Sequence, residues 1–456
     1  MNFKEKQTLI LEGNISKVIL TLAAPIMFNN LVQTLYNLAD TYWVSKLGTT
    51  AMASITLVFP VIFLSLSIGT GINVAGTALI SQYIGSNDQK DATRIATQMF
   101  SFSIILSIIL GIIGYFATPF IVRSMGGAGD VFTYSTQYLS IMFWEIPGMF
   151  LFLVYTSIKQ SQGDTITPMI LNVMGVILNI ILDPIFIFTF GMGIRGAAIA
   201  TVLSRMIFAI YAIYTLFAHK NGIYLEKNNL SLEKDTLKEI IKIGLPASLG
   251  QSAAAFGFMI LNIFVISYGA DTLAAFGIGN RINSLILMPV TGIGNSITTV
   301  IGQNLGANKK DRAKLTVKTA LKLSTLFMIS GGIIMYMASE NIVSIFVKND
   351  PEVFRQSTEY LRLICLSLPL MGFFQVFVGT FQGSGHTMYA MMMDMGRLWA
   401  LRIPMIILFK EYTQWGPNGV WYAMVLSNGL ICIFGFIVFV SGKWQDEVIN
   451  KKKALA

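Results

Sequence analysis

The chain has 456 residues, of which 54% are hydrophobic and only 12% are charged, and its formal net charge is +9. About half of the charged residues typical of a soluble domain are missing, which excludes an ordinary soluble fold. Apolar stretches of about 20 residues or more recur along the whole length, and each is long enough to cross a bilayer. The composition therefore predicts an all-α polytopic membrane protein.

Turn signals and loop charges divide the chain into twelve predicted transmembrane helices. They are 16–46, 51–82, 93–117, 131–158, 166–190, 194–218, 236–268, 273–304, 314–338, 352–381, 388–409 and 417–441. Lysine and arginine concentrate at the N-terminus, in every second loop and in the C-terminal tail. These segments hold about 22 of them, against about seven in the opposite loops. We therefore expect a cell-membrane protein with both termini in the cytoplasm, and we do not expect nucleic-acid binding.

The two halves of the sequence repeat one another. Laying the second half over the first so that Pro246 falls on Pro25 also places Gly269 on Gly48, Gln303 on Gln82 and Gly306 on Gly85. Six spans per half give both repeats the same orientation, which is an architecture typical of transporters. We predict two six-helix lobes related by this repeat. The predicted domains are lobe 1–218, cytoplasmic linker 219–235, lobe 236–442 and cytoplasmic tail 443–456.

Two aspartates lie inside long apolar stretches, where a bare charge is costly and usually functional. Asp40 and Asp183 each precede a turn glycine by eight residues (48 − 40 and 191 − 183), or about 12 Å of helix. Thr201 lies eight residues beyond Gly193 on the next helix (201 − 193), so it shares this depth. Asn179 precedes Asp183 by one helical turn. The sequence therefore predicts a polar pocket of two carboxylates, an amide and a hydroxyl.

Pro184 directly follows the second of these aspartates. It cannot donate a backbone hydrogen bond to the carbonyl of Ile180, so we expect the helix to kink beside the carboxylate. The second half of the chain lacks the pocket, because the repeat places Leu261 opposite Asp40 and Met424 opposite Thr201. An acidic pocket that occurs in only one of the two repeats is hard to explain by a purely structural role.

Burial of this kind favours the protonated form of a carboxyl group, and a second carboxylate nearby favours it further. A proton or sodium ion could neutralise the pocket, and a lipophilic organic cation could pair with it once the proton has left. Such competition between two cations is what an antiporter requires.

Five motifs are spread over the whole chain. They are Gln33-Thr-Leu-Tyr-Asn-Leu-Ala-Asp40 after Pro25, Gly85-Ser-Asn-Asp88, Gln162-Gly-Asp164, Asn179-Ile-Ile-Leu-Asp-Pro184 and Gly193-Ile-Arg-Gly-Ala-Ala198. Together they resemble the multidrug and toxic compound extrusion (MATE) family. The resemblance is greatest to its DinF-type branch, because Asp40 and Asp183 stand where that branch keeps its acidic site.

The resemblance implies an antiporter that exports cationic, amphiphilic drugs in exchange for H⁺ or Na⁺ by alternating access. It implies that Asp40 is the cation-coupling site. The same cluster, which can hold Na⁺ in relatives, would comprise Asp40, Asn179, Asp183 and Thr201. The residues expected to bind drug are Gln33, Tyr36, Asn37, Asp40 and Thr156.

An alternative within the wider superfamily is a flippase for a lipid-linked precursor. That function would favour a cationic cleft for pyrophosphate, whereas the predicted pocket is acidic. The sequence shows no constellation of nucleophile, base and oxyanion donors, so we expect no enzyme. We also expect no cofactor and no ATP site, and we expect a monomer.

Four further ionisable residues lie at predicted membrane depth. We interpret Asp394 as the partner of Arg397 in a structural ion pair, because the two are three residues apart. Arg281 is a candidate for a gate between the lobes. Glu145, on the fourth span, has no assigned role.

Overall fold

The computed structural model describes residues 2–218, 222–348 and 350–449, and these are almost entirely helical. Residues 219–221 of the predicted linker and 450–456 of the predicted tail lie outside the described residues. The α-helices are α1 Phe3–Glu12, α2 Ile15–Ser45, α3 Thr49–Gly85, α4 Gln89–Ser124, α5 Gly129–Met142, α6 Ile146–Ser161, α7 Ile166–Pro184, α8 Ile194–Ala218, α9 Lys234–Ile266, α10 Ala270–Gly306, α11 Lys310–Phe346, α12 Pro351–Cys365, α13 Leu368–Gly383, α14 Thr387–Met395, α15 Ile403–Tyr412 and α16 Asn418–Ser441.

These helices form the twelve predicted spans. In the described part of the chain, nine helices are each long and apolar enough to cross a membrane: α2, α3, α4, α7 with the turn that follows it, α8, α9, α10, α11 and α16. Two bent pairs, α5 with α6 and α12 with α13, supply two more spans. The twelfth consists of α14 and α15, joined by the π-helical turn Gly396–Arg402. The predicted all-α polytopic fold is confirmed.

Two spans predicted as continuous helices are broken in the structure. The helix axis bends by 43° between α5 and α6 and by 56° between α12 and α13. Each second piece begins with a proline in its first turn, Pro147 in α6 and Pro369 in α13. Proline has no N–H and is favoured at a helix start, so each proline begins a new helix instead of continuing the old one. The two prolines occupy equivalent positions in the two halves, so the bend follows the repeat.

The repeat is also visible in the turns. Asn87 and Asn308, at equivalent positions, adopt left-handed backbone conformations with φ of 61° and 56°. Asparagine tolerates this region better than most residues, so each closes a tight turn between two long helices. Both halves therefore use the same local solution at the ends of α3 and α10.

The described residues pack into two compact units. The first unit contains residues up to Leu11 and Phe28–Ser248, and the second contains Glu12–Met27 and the residues from Leu249 onward. Within the second unit, Ile15 and Ile19 at the start of α2 belong to the same apolar core as Ile297 of α10. Packing thus divides α2 and α9 internally, whereas the lobe boundaries at 218 and 236 follow the repeat and stay a prediction.

Candidate functional site

Three of the residues predicted for the cation cluster contact one another in the first unit. The side-chain amide of Asn179 donates to Asp183 Oδ1 at 3.3 Å and to Thr201 Oγ1 at 3.4 Å. The Tyr36 hydroxyl lies 3.5 Å from Thr201 Oγ1. Asn179, Asp183 and Thr201 are each at most 2% exposed. The structure therefore brings residues of α2, α7 and α8 together in one buried polar cluster.

Asp40 lies beside this cluster, one helical turn after Tyr36 on α2. It is partly exposed, and it is close enough to Asp183 and to Arg205 for direct electrostatic interaction. No described residue forms a hydrogen bond or ion pair with its carboxylate. Of the two aspartates, Asp40 is therefore partly accessible to solvent, and Asp183 is fully buried.

The local chain geometry explains how α7 and α8 meet. α7 ends at Pro184, and the chain continues as the π-helical turn Ile185–Thr189. The helix thus changes from α to π beside Asp183, directly after Pro184, and the predicted kink stays a prediction. The following helix packs closely on the turn, because a Cβ at Gly196 would lie only 2.6 Å from the carbonyl oxygen of Phe186. This close approach sets Thr201 against Asn179.

Two buried oxygen atoms of the cluster lack a partner. Asp183 Oδ2 and Asn179 Oδ1 are inaccessible to solvent, and neither accepts a hydrogen bond from a described residue. Leaving a buried acceptor unsatisfied is costly, and more so for a charged group. A proton on the carboxylate, or a hard cation bound by oxygen atoms, would remove that cost. The donor set of carboxylate, amide and hydroxyl oxygens therefore fits H⁺ or Na⁺.

A cavity of about 210 Å³ lies next to the cluster, within the first unit. Among the residues predicted to bind drug, Gln33, Tyr36 and Thr156 line it, and Asn179 of the cluster lines it too. Its remaining wall is largely apolar. Drug-sized ligands generally occupy about 300–1,000 Å³, so the cavity can enclose part of such a molecule.

Two residues predicted to bind drug lie off the cavity wall. Asp40 is not among the lining residues, although it is near Tyr36, which is. Asn37 is exposed and accepts a hydrogen bond of 3.3 Å from Gln33. Asn37 is therefore connected to the cavity only indirectly, through its hydrogen bond with Gln33.

An ion pair at this cavity was not anticipated from the sequence. Arg205 of α8 lines the cavity, and its Nη1 lies 2.6 Å from Glu145 Oε1. Its guanidinium carbon is 5.4 Å from the centre of the Tyr36 ring. Arg205 follows Thr201 by four residues, so the helical spacing could have placed it on the same face. This pair gives Glu145 the partner that sequence reasoning did not assign.

Asp394 and Arg397 interact electrostatically, but the predicted pair does not form a salt bridge. The guanidinium of Arg397 lies instead over the ring of Phe374, at 4.3 Å from its centre. The π-helical turn that starts at Gly396 changes the angular spacing, so residues three apart no longer meet as they do on an α-helix. Arg281, the candidate gate residue, is exposed on α10.

A twelve-span helical bundle with a cavity beside a buried acidic cluster has the features of a membrane transporter. The profile of the MatE family matches residues 25–185 and 246–408. The chain belongs to the MatE family. The two matched segments begin at Pro25 and Pro246, which the repeat places on one another, so the match follows the internal repeat.

Relatives and solved structures agree with this assignment over nearly the full length. The chain is 28% identical over 439 residues to the probable multidrug resistance protein YoeA of Bacillus subtilis, covering 94% of each chain. It is 27% identical over 445 residues to the multidrug export protein MepA of Staphylococcus aureus, covering 95% of this chain and 96% of that one. A solved outward-facing conformation of a multidrug resistance MATE family transporter superposes with a TM-score of 0.89 at 28% identity, covering 95% and 97%. The predicted family is confirmed, and the branch within it stays a prediction.

Proposed function

We propose that the protein is a multidrug efflux antiporter of the cell membrane. It exports cationic, amphiphilic compounds in exchange for H⁺ or Na⁺ by alternating access. The observation that carries this proposal is the unpartnered pair of oxygens, Asp183 Oδ2 and Asn179 Oδ1, buried beside a cavity that their own cluster helps to line. The names of the multidrug relatives support the export of drugs.

The cluster and the cavity share residues, which supplies a route for exchange. Tyr36 and Asn179 line the cavity, and both also contact Thr201. When a proton or Na⁺ neutralises the cluster, a bound organic cation loses its electrostatic partner and is released. When the inorganic cation leaves, the carboxylates attract the next organic cation. The inward ion gradient then supplies the energy for export.

The flippase alternative is less well supported by the cavity. A pyrophosphate head group would favour several unpaired cations. The cavity wall instead has the single guanidinium of Arg205, which is paired with Glu145 through Nη1, and the nearby Asp40 and Asp183 are acidic. The charge of the site thus favours an organic cation.

The test is efflux of a fluorescent organic cation from proteoliposomes, with the proton and sodium gradients collapsed separately. Wild-type efflux is expected to stop when the coupling gradient is removed. Asp40→Asn is expected to abolish efflux while the protein remains in the membrane, because the cluster loses its accessible charge. Asp130→Asn, which makes the same change at an exposed site in the first turn of α5, is the matched control.

Two outcomes contradict the proposal. One is full efflux by Asp40→Asn. The other is wild-type efflux that continues unchanged after both gradients have been collapsed.

A further inference from the structure

Arg205 brings a fixed positive charge to the wall of the cavity in the first unit. Its side chain lines the cavity and is 36% exposed, whereas the side chain of its partner Glu145 is only 5% exposed. Glu145 follows the bend between α5 and α6, immediately before α6 begins. Glu145 is therefore the more buried partner of the ion pair, and Arg205 is the partner that lines the cavity.

Part of the hydrogen-bonding capacity of Arg205 stays available. A guanidinium has five N–H donors, and the ion pair with Glu145 engages Nη1. The Tyr36 side chain also interacts with the guanidinium, and its ring centre lies 5.4 Å away, which restricts where the group can point. None of the nitrogens of Arg205 is a buried atom without a partner, so any donor that the ion pair leaves free has solvent-exposed surface. The guanidinium can therefore bind a planar anion by donating two parallel hydrogen bonds to it.

The acidic cluster lies beside the same cavity and close to Arg205. Asn179 and Tyr36 connect the wall to the acidic cluster of Asp183. The cavity wall also includes apolar side chains, among them Phe152, Leu153 and Phe208. The cavity thus combines a cationic group with an apolar surface and lies beside an acidic cluster.

We propose that Arg205 determines which substrate charge the cavity prefers. It favours amphiphiles that carry both an organic cation and a carboxylate over otherwise identical compounds whose carboxylate is esterified. The cationic group lies toward the acidic cluster, the carboxylate binds the free N–H groups of Arg205, and Glu145 holds the guanidinium in place. This inference rests on the proposed function, since it names the substrate class of the same cavity.

A matched pair of dyes tests the inference directly. Rhodamine 6G is an ethyl ester and a monocation, and rhodamine 19 is its free acid and a zwitterion. Binding of each to the purified full-length protein is measured by fluorescence polarisation. The paired variant Glu145→Gln with Arg205→Gln removes both charges together, so neither partner is left buried and unpaired. We expect the affinity for rhodamine 19, relative to that for rhodamine 6G, to fall about tenfold in this variant.

Two further variants make the result specific. Arg205→Lys keeps the charge but not the planar fork, so the affinity ratio is expected to fall by about threefold. Glu352→Gln with Arg355→Gln makes the same chemical change at an exposed ion pair of equal length, 2.6 Å, in the second unit. It is expected to leave the affinity ratio unchanged.

An affinity ratio that is the same in the wild type and in the Glu145→Gln, Arg205→Gln variant overturns the inference. The inference is also overturned if the Glu352→Gln, Arg355→Gln control lowers the affinity ratio as much as the Glu145→Gln, Arg205→Gln variant does. Failure of the proposed function gives a different result. In that case wild-type proteoliposomes transport neither dye under either ion gradient, while the binding ratio still measures the role of Arg205.

Discussion

Thr201 connects the cation cluster to the cavity wall. Its hydroxyl donates to the carbonyl oxygen of Ala197 at 3.1 Å and accepts from Asn179 at 3.4 Å. Thr201→Val keeps the shape of the side chain and removes this oxygen. We expect the initial rate of drug efflux in proteoliposomes to fall about tenfold, because the cluster loses one oxygen ligand and one hydrogen-bond acceptor.

A control separates this effect from a loss of stability. Thr118 is also fully buried, and it donates to the carbonyl oxygen of Gly114 at 2.8 Å. Thr118→Val removes the same kind of intrahelical bond, so both variants are expected to lose about 1 kcal/mol of stability. Only Thr201→Val is expected to slow efflux. Equal efflux rates in the two variants would count against a role of Thr201 in coupling.

The cluster could be predicted at residue level because helical rise is constant. Counting eight residues from turn glycines placed Asp183 and Thr201 at one depth, and the four-residue spacing placed Asn179 beside Asp183. The ion pair of Arg205 with Glu145 could not be found in this way. Its partners belong to different helical segments whose crossing is set by packing, and spacing along one helix carries no information about that crossing.

At the scale of helices, the backbones of α10 and α13 in the second unit cross in close contact. A Cβ at Gly379 would overlap the carbonyl oxygen of Gly294 and lie 2.8 Å from its carbonyl carbon. Backbone atoms cannot rotate away as a side chain can, so Gly379→Ala must push the two helices apart. We expect a loss of roughly 1–3 kcal/mol of stability, seen as a lower melting temperature of the purified protein.

The matched control is another glycine on one of the same two helices. Gly277 of α10 is helical, and a Cβ built there meets no atom within 4 Å. Gly277→Ala is expected to be neutral or to stabilise by about 0.5–1 kcal/mol, because alanine loses less backbone entropy in a helix. A Gly379→Ala protein that melts at the temperature of Gly277→Ala would show that the close approach is not tight.

The helices themselves were predicted from apolar length, but their interruptions were not. Hydropathy stays high through the bends before Pro147 and Pro369, so a long apolar stretch does not reveal that it contains two helices. The π-helical turn Gly396–Arg402 has no sequence signal of this kind either. It depends on how a helix is held by its neighbours, and for that reason the sequence did not show that Asp394 and Arg397 interact without forming a salt bridge.

At the scale of the whole molecule, the repeat preserves architecture and not chemistry. Leu261 and Met424, which the repeat places opposite Asp40 and Thr201, are buried in an apolar core of the second unit. The second unit therefore has hydrocarbon where the first has carboxylate and hydroxyl groups. In the proposed mechanism, ion binding acts on the first unit alone, and the second unit responds through conformational change.

The distribution of charge also predicts how the whole chain is oriented. Basic residues favour the cytoplasmic side, so the loop before α9 should be cytoplasmic and the loop before α16 should face outward. Ser231 and Gln414 are exposed residues in these two loops. In a background with Cys365 and Cys432 replaced by serine, we expect a membrane-impermeant maleimide to label Gln414→Cys in intact cells. Ser231→Cys should react only after the membrane is permeabilised. The reverse pattern would invert the orientation and, with it, the proposed direction of export.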